Sequence, residues 1–403
     1  MKEKLIIKNF GPIKSIDLDL GKITVFIGEQ ATGKSTIAKV LSICRYFSYI
    51  VDDSTQIVDD KSSFVSSAFV EWELNGFEND KTYIKYINED YEIEIFNKEI
   101  ELEDKRNIKS LIPNLKPKSE KFTKLIKDYN DLKLTHSSKF SIDKDWSIPY
   151  KFLATDVKKV MNNPFYIPAE RVLQSIFSLG KSSIQNLSDS LFNQFVSLDK
   201  VLKGFEKNTL IDPLDIEYKN IRGIPHFHKK GNKFFYRLSQ GASGYQSIIP
   251  IVLAVKYYSE IKKRRRTFIV EEPELNLFPK TQKKLVEFFS ETVNKYNNQF
   301  ILPTHSPYII TPLENLMYAY QLGNADDGRF KEEVVKIIDQ RYWINPDDVN
   351  AYYLEDGIAK DIMLREESLI KKNELDEVSD VIGNVTDKLL AIEQKLSITE
   401  IDN

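Results

Sequence analysis

A glycine-rich stretch near the start of the chain has the residue types and spacing of a phosphate-binding loop. Residues 28–35, Gly-Glu-Gln-Ala-Thr-Gly-Lys-Ser, match the pattern G-x-x-x-x-G-K-[ST]. They lie between an apolar run at residues 23–27, typical of a buried strand, and the helical apolar spacing of residues 37–44. In such a loop the backbone N–H groups and the helix N-terminus face an anion, the lysine contacts the β- and γ-phosphates, and the serine hydroxyl binds Mg²⁺. We predict that Ser35 is a magnesium ligand and that a nucleotide contacts Gly28, Glu29, Gln30, Ala31, Thr32, Gly33, Lys34, Ser35 and Thr36.

Two acidic residues follow a second predicted strand. Residues 267–270, Thr-Phe-Ile-Val, lead directly into Glu271 and Glu272. Two adjacent carboxylates cannot do the same job, so we expect Glu271 to hold the magnesium shell and Glu272 to polarise the attacking water. The alternative is a pair of solvated acids at a strand end, which the preceding phosphate loop disfavours.

A histidine ends the next predicted strand. Residues 299–302 are followed by Pro-Thr-His-Ser-Pro, which places His305 just beyond the strand. A lone histidine is usually structural, but its position after the two other motifs favours a γ-phosphate sensor. Lys34, Glu272 and His305 are therefore the predicted catalytic residues.

These motifs resemble the ATP-binding-cassette class of ATPases, in the branch that contains SMC-like, RecF-like and OLD-type proteins. The resemblance rests on the phosphate loop, Glu271-Glu272-Pro273, residues 274–279 and residues 304–307, and it spans residues 1–320 with an interruption. It implies ATP and Mg²⁺ as cofactors, Asn276 in the D-loop and His305 as the switch histidine. Gln30 stands where this class often has asparagine, and Glu271 where aspartate is usual.

The class also requires a signature loop that contacts the nucleotide bound by the opposite subunit. Two overlapping segments are similar to it, Leu238-Ser-Gln-Gly241 and Ala242-Ser-Gly-Tyr-Gln-Ser247. We favour the second, which assigns nucleotide contacts to Ser243, Gly244 and Gln246, while Ser239 remains the alternative serine.

A Q-loop is less well marked. Residues 166–171, Tyr-Ile-Pro-Ala-Glu-Arg, look like a recurrent element of OLD-like ATPases, in which Glu170 or Gln174 would replace the Q-loop glutamine. A plain strand-to-helix turn with an ion pair explains the same residues.

The predicted fold is α/β, a P-loop NTPase with an ABC-type ATPase head that combines a mixed sheet lobe and a helical lobe. Three strands forming an antiparallel meander are expected between Phe69 and Ile100. The resemblance divides the chain into an ATPase domain at 1–100 and 164–320, a helical insertion at 101–163, and a small α-rich C-terminal region at 321–403 for partner binding or oligomerisation.

Composition narrows the function classes. With 57 Lys and Arg against 60 Asp and Glu, the net charge of −3 provides no global positive field, so nucleic-acid contact would be local. Lys262–Arg266 is a candidate for such contact or a solvated helix end.

The single cysteine, Cys44, excludes an intrachain disulfide and is expected to be a small buried hydrophobe. The sequence contains no apolar window of membrane-span length, and we expect a cytoplasmic protein.

The resemblance also implies partners. ATPases of this class hold two nucleotides between head-to-tail subunits, so we expect a homodimer or higher homo-oligomer. Three roles compete: an anti-phage defence ATPase, a RecF- or SMC-like repair ATPase, and a transporter subunit. We favour the first, with DNA or a phage protein as a possible ligand and a separate effector, a nuclease or toxin. Glu355-Asp-Gly357 superficially resembles half of a nuclease motif, but the expected structure there is a helix-entry turn.

Overall fold

The computed structural model describes residues 3–53, 67–89, 91–96, 99–104, 164–179, 187–232 and 234–371. Apart from its first four residues, the predicted insertion lies outside these ranges, as do residues 372–403 of the predicted C-terminal region. The strands are β1 Glu3–Phe10, β2 Ile13–Leu20, β3 Ile23–Ile27, β4 Tyr83–Ile87, β5 Tyr91–Phe96, β6 Glu99–Asp104, β7 Pro164–Ile167, β8 Thr209–Ile211, β9 Ile216–Ile221, β10 Ile224–Lys229, β11 Tyr236–Arg237, β12 Thr267–Val270, β13 Gln299–Thr304, β14 Val349–Glu355, β15 Ile358–Asp361, β16 Met363–Leu364 and β17 Leu369–Ile370.

Eleven of these strands form one mixed sheet in the order β6-β5-β4-β1-β2-β15-β14-β3-β13-β12-β7. The segment from β14 to β7 is parallel throughout. Every residue of β3, β12 and β13 is buried, as expected for parallel strands covered on both faces. The predicted mixed α/β architecture is confirmed.

Helices cover both faces of the sheet. Alternate residues of β3 enter opposite cores: Val25 and Ile27 pack into one cluster, and Phe26 into the other. The helices are α1 Lys34–Asp53, α2 Gln174–Phe177, α3 Asp189–Lys203, α4 Ser243–Lys256, α5 Pro279–Tyr296, α6 Pro307–Asn324 and α7 Lys331–Ile337, and a π-helix at Tyr257–Ile261 follows α4. Helix α1 lies in the cluster with Phe26, whereas α3 to α6 line the other.

Two properties of these helices, the burial of Cys44 and their apolar composition, bear on the sequence predictions. Cys44 on α1 is buried, and burial raises the pKa of its thiol to about 12, which confirms the expected structural role. Within the described ranges, no helix combines the length and apolar composition that a membrane span requires.

A second, four-stranded antiparallel sheet, β11-β10-β9-β8, packs beside α3 and α4. Its buried residues Ile216, Tyr218 and Phe227 join the same core as α4. This sheet was not predicted from the sequence.

The prediction that the first strand of the meander begins at Phe69 is wrong. A short helical turn occupies residues 67–71, because it brings the consecutive apolar side chains of Ala68 and Phe69 into the core together, which alternating strand geometry would not. The Phe69 ring lies 5.1 Å from that of Phe10, centroid to centroid. The two later strands of the expected meander are present as β4 and β5, and β6 follows them.

The main sheet also continues beyond residue 320, into the stretch predicted to be α-rich. β14 lies between β15 and β3 in the interior of the sheet, because residues 349–354 are a continuous buried run that suits a parallel strand. The helix-entry turn expected at Glu355-Asp-Gly357 is instead a hairpin turn from β14 to β15. Asp356 and Gly357 both have positive φ there, +50° and +76°.

Candidate functional site

The phosphate-binding loop runs from the end of β3 to the start of α1. Gly28 has φ +151° and Gly33 φ +100°, and Ala31 also has a left-handed conformation at φ +62°. A Cβ on Gly28 would lie 2.3 Å from the carbonyl oxygen of Leu354 on β14. The first glycine of the motif is therefore required by a strand that is remote in sequence. Gly28 and Gly33 are buried, whereas Glu29, Gln30 and Ala31 are exposed around the rim of the loop.

Lys34 folds back into this loop. Its Nζ donates hydrogen bonds to the carbonyl oxygens of Gly28, at 2.7 Å, and Glu29, at 2.5 Å. Burial lowers the pKa of the ammonium to about 8, although nearby carboxylates, Glu272 first among them, favour the charged form. The ammonium thus occupies the centre of the loop, where phosphate oxygens would replace the carbonyls as its partners.

Glu271 supplies a buried carboxylate next to Ser35. Burial raises the pKa of Glu271, and the hydroxyls of Tyr166 and Ser35 oppose that rise. Among the described residues its Oε1 has no hydrogen-bond partner. A buried carboxylate oxygen without a donor, beside an exposed serine hydroxyl, is a donor set suited to Mg²⁺, which prefers oxygen ligands and keeps several waters or phosphate oxygens. Tyr166 belongs to the element at residues 166–171, but the sequence gave no role for its hydroxyl, which lies beside this carboxylate.

Glu272 and His305 meet at the ends of neighbouring strands. Glu272 follows β12, and its N–H donates to the carbonyl oxygen of Pro303 on β13 at 2.8 Å. Its φ of +42° turns the side chain away from that of Glu271. As a result, Glu272 Oε1 lies 3.6 Å from His305 Nε2, and both side chains are partly exposed. The structure therefore brings the predicted water-polarising residue and the predicted sensor together.

The loop after Glu272 is tied to the histidine by side-chain hydrogen bonds. Glu274 Oε1 accepts from the backbone N–H of His305 at 2.7 Å. Gln282 Oε1 accepts from Ser306 Oγ at 2.7 Å, and Gln282 Nε2 donates to the Leu277 carbonyl at 2.8 Å. These bonds fix the histidine loop against the predicted D-loop. Sequence reasoning gave Glu274 no function, although its place in Glu-Glu-Pro-Glu was the available signal.

Asn276, the predicted D-loop residue, is exposed at the surface. Its φ of +60° is left-handed, a conformation that asparagine tolerates better than most residues. A Cβ on Gly244 would lie 2.9 Å from the Asn276 carbonyl oxygen, so Gly244 permits close contact between the D-loop and the start of α4. The two elements form one continuous surface.

The predicted signature residues divide into two groups. Ser243, the first residue of α4, and Gly244 are accessible at the helix N-terminus, a position that favours anions. Gln246 instead turns inward: its Nε2 donates to the Gly241 carbonyl at 2.8 Å, and its Oε1 accepts from Ser175 Oγ at 2.6 Å. The alternative serine, Ser239, lies in the 3-10 helix Leu238–Gln240, before the α4 N-terminus.

The two Q-loop candidates also differ. The Gln174 side chain is fully buried and hydrogen-bonds to Ser178 Oγ at 3.3 Å, beside α3. Glu170 is exposed and lies close enough to Glu271 to raise the pKa of that carboxyl. Of the two candidates, Glu170 is therefore the one near Glu271, the predicted magnesium ligand.

Arg171, which the sequence analysis gave no role beyond an ion pair, is fully buried beneath the site. Its guanidinium donates to four carbonyl oxygens: Pro168 at 3.2 Å, Ser247 at 3.0 Å, Glu271 at 2.7 Å and Glu272 at 2.7 Å. Burial lowers its pKa to about 10, so it stays charged at neutral pH. The signal for this residue was the Ile-Pro-Ala-Glu-Arg element.

Comparisons with known proteins identify the family of the chain. No curated protein gives a significant match. Similar solved structures include an SMC head bound to the C-winged helix domain of ScpA (10% identity, TM-score 0.44, covering 89% of this chain and 96% of that one). They also include the SMC head domain from Thermotoga maritima, at 12% identity and a TM-score of 0.38, covering 90% of this chain and 98% of that one. A third is an Smc head with an extended coiled coil bound to the C-terminal domain of ScpA derived from Pyrococcus furiosus, at 12% identity and a TM-score of 0.40, covering 95% of this chain and 98% of that one. The family model described as AAA ATPase domain matches residues 1–165 and 55–310, so the chain belongs to the AAA ATPase domain family.

Proposed function

We propose that this chain binds ATP with Mg²⁺ at residues 28–36 and hydrolyses it, with Glu272 as the general base. The observation that carries the proposal is the 3.6 Å approach of Glu272 Oε1 to His305 Nε2, at the ends of the strands beside the phosphate-binding loop. Ligands of α/β proteins commonly bind outside the carboxyl ends of parallel strands, where these residues lie.

Each residue of the site has a distinct role in this proposal. Lys34 exchanges the Gly28 and Glu29 carbonyls for β- and γ-phosphate oxygens. Ser35 and Glu271 are the residues that would hold Mg²⁺, which when bound withdraws charge from the phosphates. Glu272 accepts a proton from the attacking water at its carboxylate, and His305 donates a hydrogen bond from Nε2 to the γ-phosphate.

We further propose that two copies close head to tail around ATP. Ser243, Gly244 and Asn276 support this proposal because they form a surface that is accessible in the single chain. Phe278, in the same loop as Asn276, is 77% exposed, an unfavourable exposure that a second copy would relieve. In this arrangement the α4 N-terminus of one copy contacts the γ-phosphate held by the other.

The experiment is phosphate release per chain, measured across a range of chain concentrations with ATP and Mg²⁺ in excess. We expect the rate per chain to rise with concentration and then to saturate as dimers form. Lys34→Ala is the matched control and should lose both nucleotide binding and turnover. Absence of turnover in the unaltered chain would contradict the ATPase proposal, whereas a concentration-independent rate would contradict only the dimer.

For the biological role we propose a regulatory ATPase of an anti-phage defence system that controls a separate nuclease or toxin. Residues 167–171, Ile-Pro-Ala-Glu-Arg, and 271–274, Glu-Glu-Pro-Glu, support this proposal through their resemblance to OLD-like ATPases. The test is plating efficiency of phage on cells that carry this gene with its neighbouring reading frames. We expect protection that Lys34→Ala abolishes. Sensitivity to DNA damage without phage protection would favour a RecF- or SMC-like repair ATPase instead.

A further inference from the structure

A buried arginine joins three parts of the molecule that are distant in sequence. Arg171 is the bulkiest of the fully buried side chains. Its hydrogen bonds reach Pro168 after β7, Ser247 in the first turns of α4, and the carbonyls of Glu271 and Glu272 after β12. Burying a cation costs several kcal/mol unless hydrogen bonds compensate for the lost hydration. This cation is therefore held by main-chain groups whose positions it fixes in turn.

The shape of the group suits a rigid link. A guanidinium is planar and carries five N–H donors in fixed directions, whereas a lysine ammonium is a point charge that adapts to its partners. Nε points to Ser247, and the two terminal nitrogens point to Glu271 and Glu272. A shift of the Ser247 carbonyl is thus transmitted through one rigid plane to the peptides of the glutamate pair.

A second contact joins the same two segments. Ser175 Oγ donates to Gln246 Oε1 at 2.6 Å, so the segment that carries Arg171 is bonded to the start of α4 at two points. The backbone of Glu272 is also sensitive to such a shift. It is left-handed at φ +42°, and a small rotation of its peptide changes the direction of the carboxylate.

We propose that Arg171 is a positioning residue that conveys engagement of the α4 N-terminus to Glu272, so that the carboxylate is aligned for water activation only when the opposite nucleotide is bound. This inference rests on the proposed head-to-tail ATPase. It assigns to an arginine the link between the signature helix and the catalytic base, whereas Gln174 hydrogen-bonds to Ser178.

The test is Arg171→Lys, which keeps the charge and loses the rigid three-way geometry. We expect kcat to fall about 30-fold or more, as for a misplaced catalytic group, while the Kd for ATP and ATP-dependent dimer formation change less than about threefold. Dimer formation is measured by light scattering in the Glu272→Gln background, which removes turnover from the comparison.

Arg45→Lys is the matched control. Arg45 is also buried, but its guanidinium bonds to Glu3 at 2.6 and 2.5 Å and to Gln299 at 2.9 Å, outside the site. Arg45→Lys should lower the melting temperature and leave kcat per folded chain unchanged. If Arg171→Lys gives the same pattern as Arg45→Lys, or keeps kcat within threefold, the inference is wrong. If the unaltered chain neither dimerises with ATP nor hydrolyses it, the proposed function fails first.

A measurement on the unaltered chain covers the case in which Arg171→Lys does not fold. Hydrogen exchange is compared with and without a non-hydrolysable ATP analogue. The inference predicts that amides in 168–175 and 271–274 slow together with those in 243–250. Slowing confined to 243–250 and the phosphate loop would overturn it.

Discussion

Glu271 and Glu272 are neighbours in the chain, yet the fold gives their carboxyl groups opposite surroundings. Glu271 is 7% exposed, lies beside Ser35 and Tyr166, and has a carboxyl pKa that burial raises. The Glu272 side chain is 37% exposed and faces His305. The difference arises from a single left-handed backbone at Glu272, held by its N–H bond to Pro303 and by Arg171. One strand end therefore presents two carboxylates in the different surroundings that the proposed metal ligand and the proposed general base require.

Glu272→Gln should show the largest effect in this comparison. Because the amide cannot accept a proton from water, we expect kcat to fall about 100-fold or more, while the Kd for ATP stays within about threefold. Stopped-flow phosphate release and calorimetry measure the two quantities. Turnover within tenfold of the unaltered chain would remove Glu272 as the base.

Glu271→Gln should act through the metal. We expect the Mg²⁺ concentration for half-maximal turnover to rise about tenfold or more, because an amide oxygen is a weaker ligand than a carboxylate. A titration of turnover against Mg²⁺ measures this change. For Glu272→Gln the residual turnover should keep the Mg²⁺ dependence of the unaltered chain, and equal shifts in both variants would contradict the division of roles.

Glu271→Gln should also stabilise the nucleotide-free chain. The folded-state pKa of Glu271 lies above its unfolded value, so its contribution to stability is present at low pH and lost as the carboxyl ionises. At pH 7 a neutral glutamine removes that cost, and we expect the melting temperature to rise by about 2 °C. Glu272→Gln, at a partly exposed position, should leave it unchanged. A lower melting temperature for Glu271→Gln would contradict the burial argument.

A smaller expected effect is a pH dependence of the affinity for ATP. Because the Lys34 pKa is about 8 in the nucleotide-free loop, phosphate binding must draw a proton onto this group above that pH. We expect ATP affinity to fall by up to about tenfold per pH unit above pH 8, with proton uptake visible by calorimetry in buffers of different ionisation enthalpy. Lys34→Arg, permanently charged, should bind without this slope. Equal affinity of the unaltered chain at pH 7 and pH 9.5 would refute the prediction.

The sequence predicted the parts of the site that depend on local pattern. β3 and β12 have the bounds expected from their apolar runs, and the glutamate pair and His305 follow strands as predicted, because continuous apolar segments and turn residues are local signals. The proximity of Glu272 to His305 was not predicted; it arises because β12 and β13 pair in parallel and both residues follow the same edge of the sheet.

Other features depend on contacts that no local pattern encodes. β14 enters the sheet beside β3 although more than 300 residues separate them, and the close approach of Gly28 to Leu354 depends on that pairing. The inward turn of Gln246 depends on Ser175, and the buried position of Arg171 on three separate segments. From the sequence alone, a charged residue in a predicted turn is expected to be exposed, because its burial depends on segments that are distant in the chain.

Mixing two inactive variants shows whether each site is shared by two copies. Lys34→Ala removes the phosphate loop's cation, and Ser243→Asp repels the γ-phosphate while remaining favourable at a helix N-terminus. Neither variant alone should turn over ATP. An equal mixture should recover about a quarter of the unaltered rate, because half of randomly formed dimers are mixed and each mixed dimer contains one complete site. A mixture no more active than the sum of its separate components would show that the site is not shared.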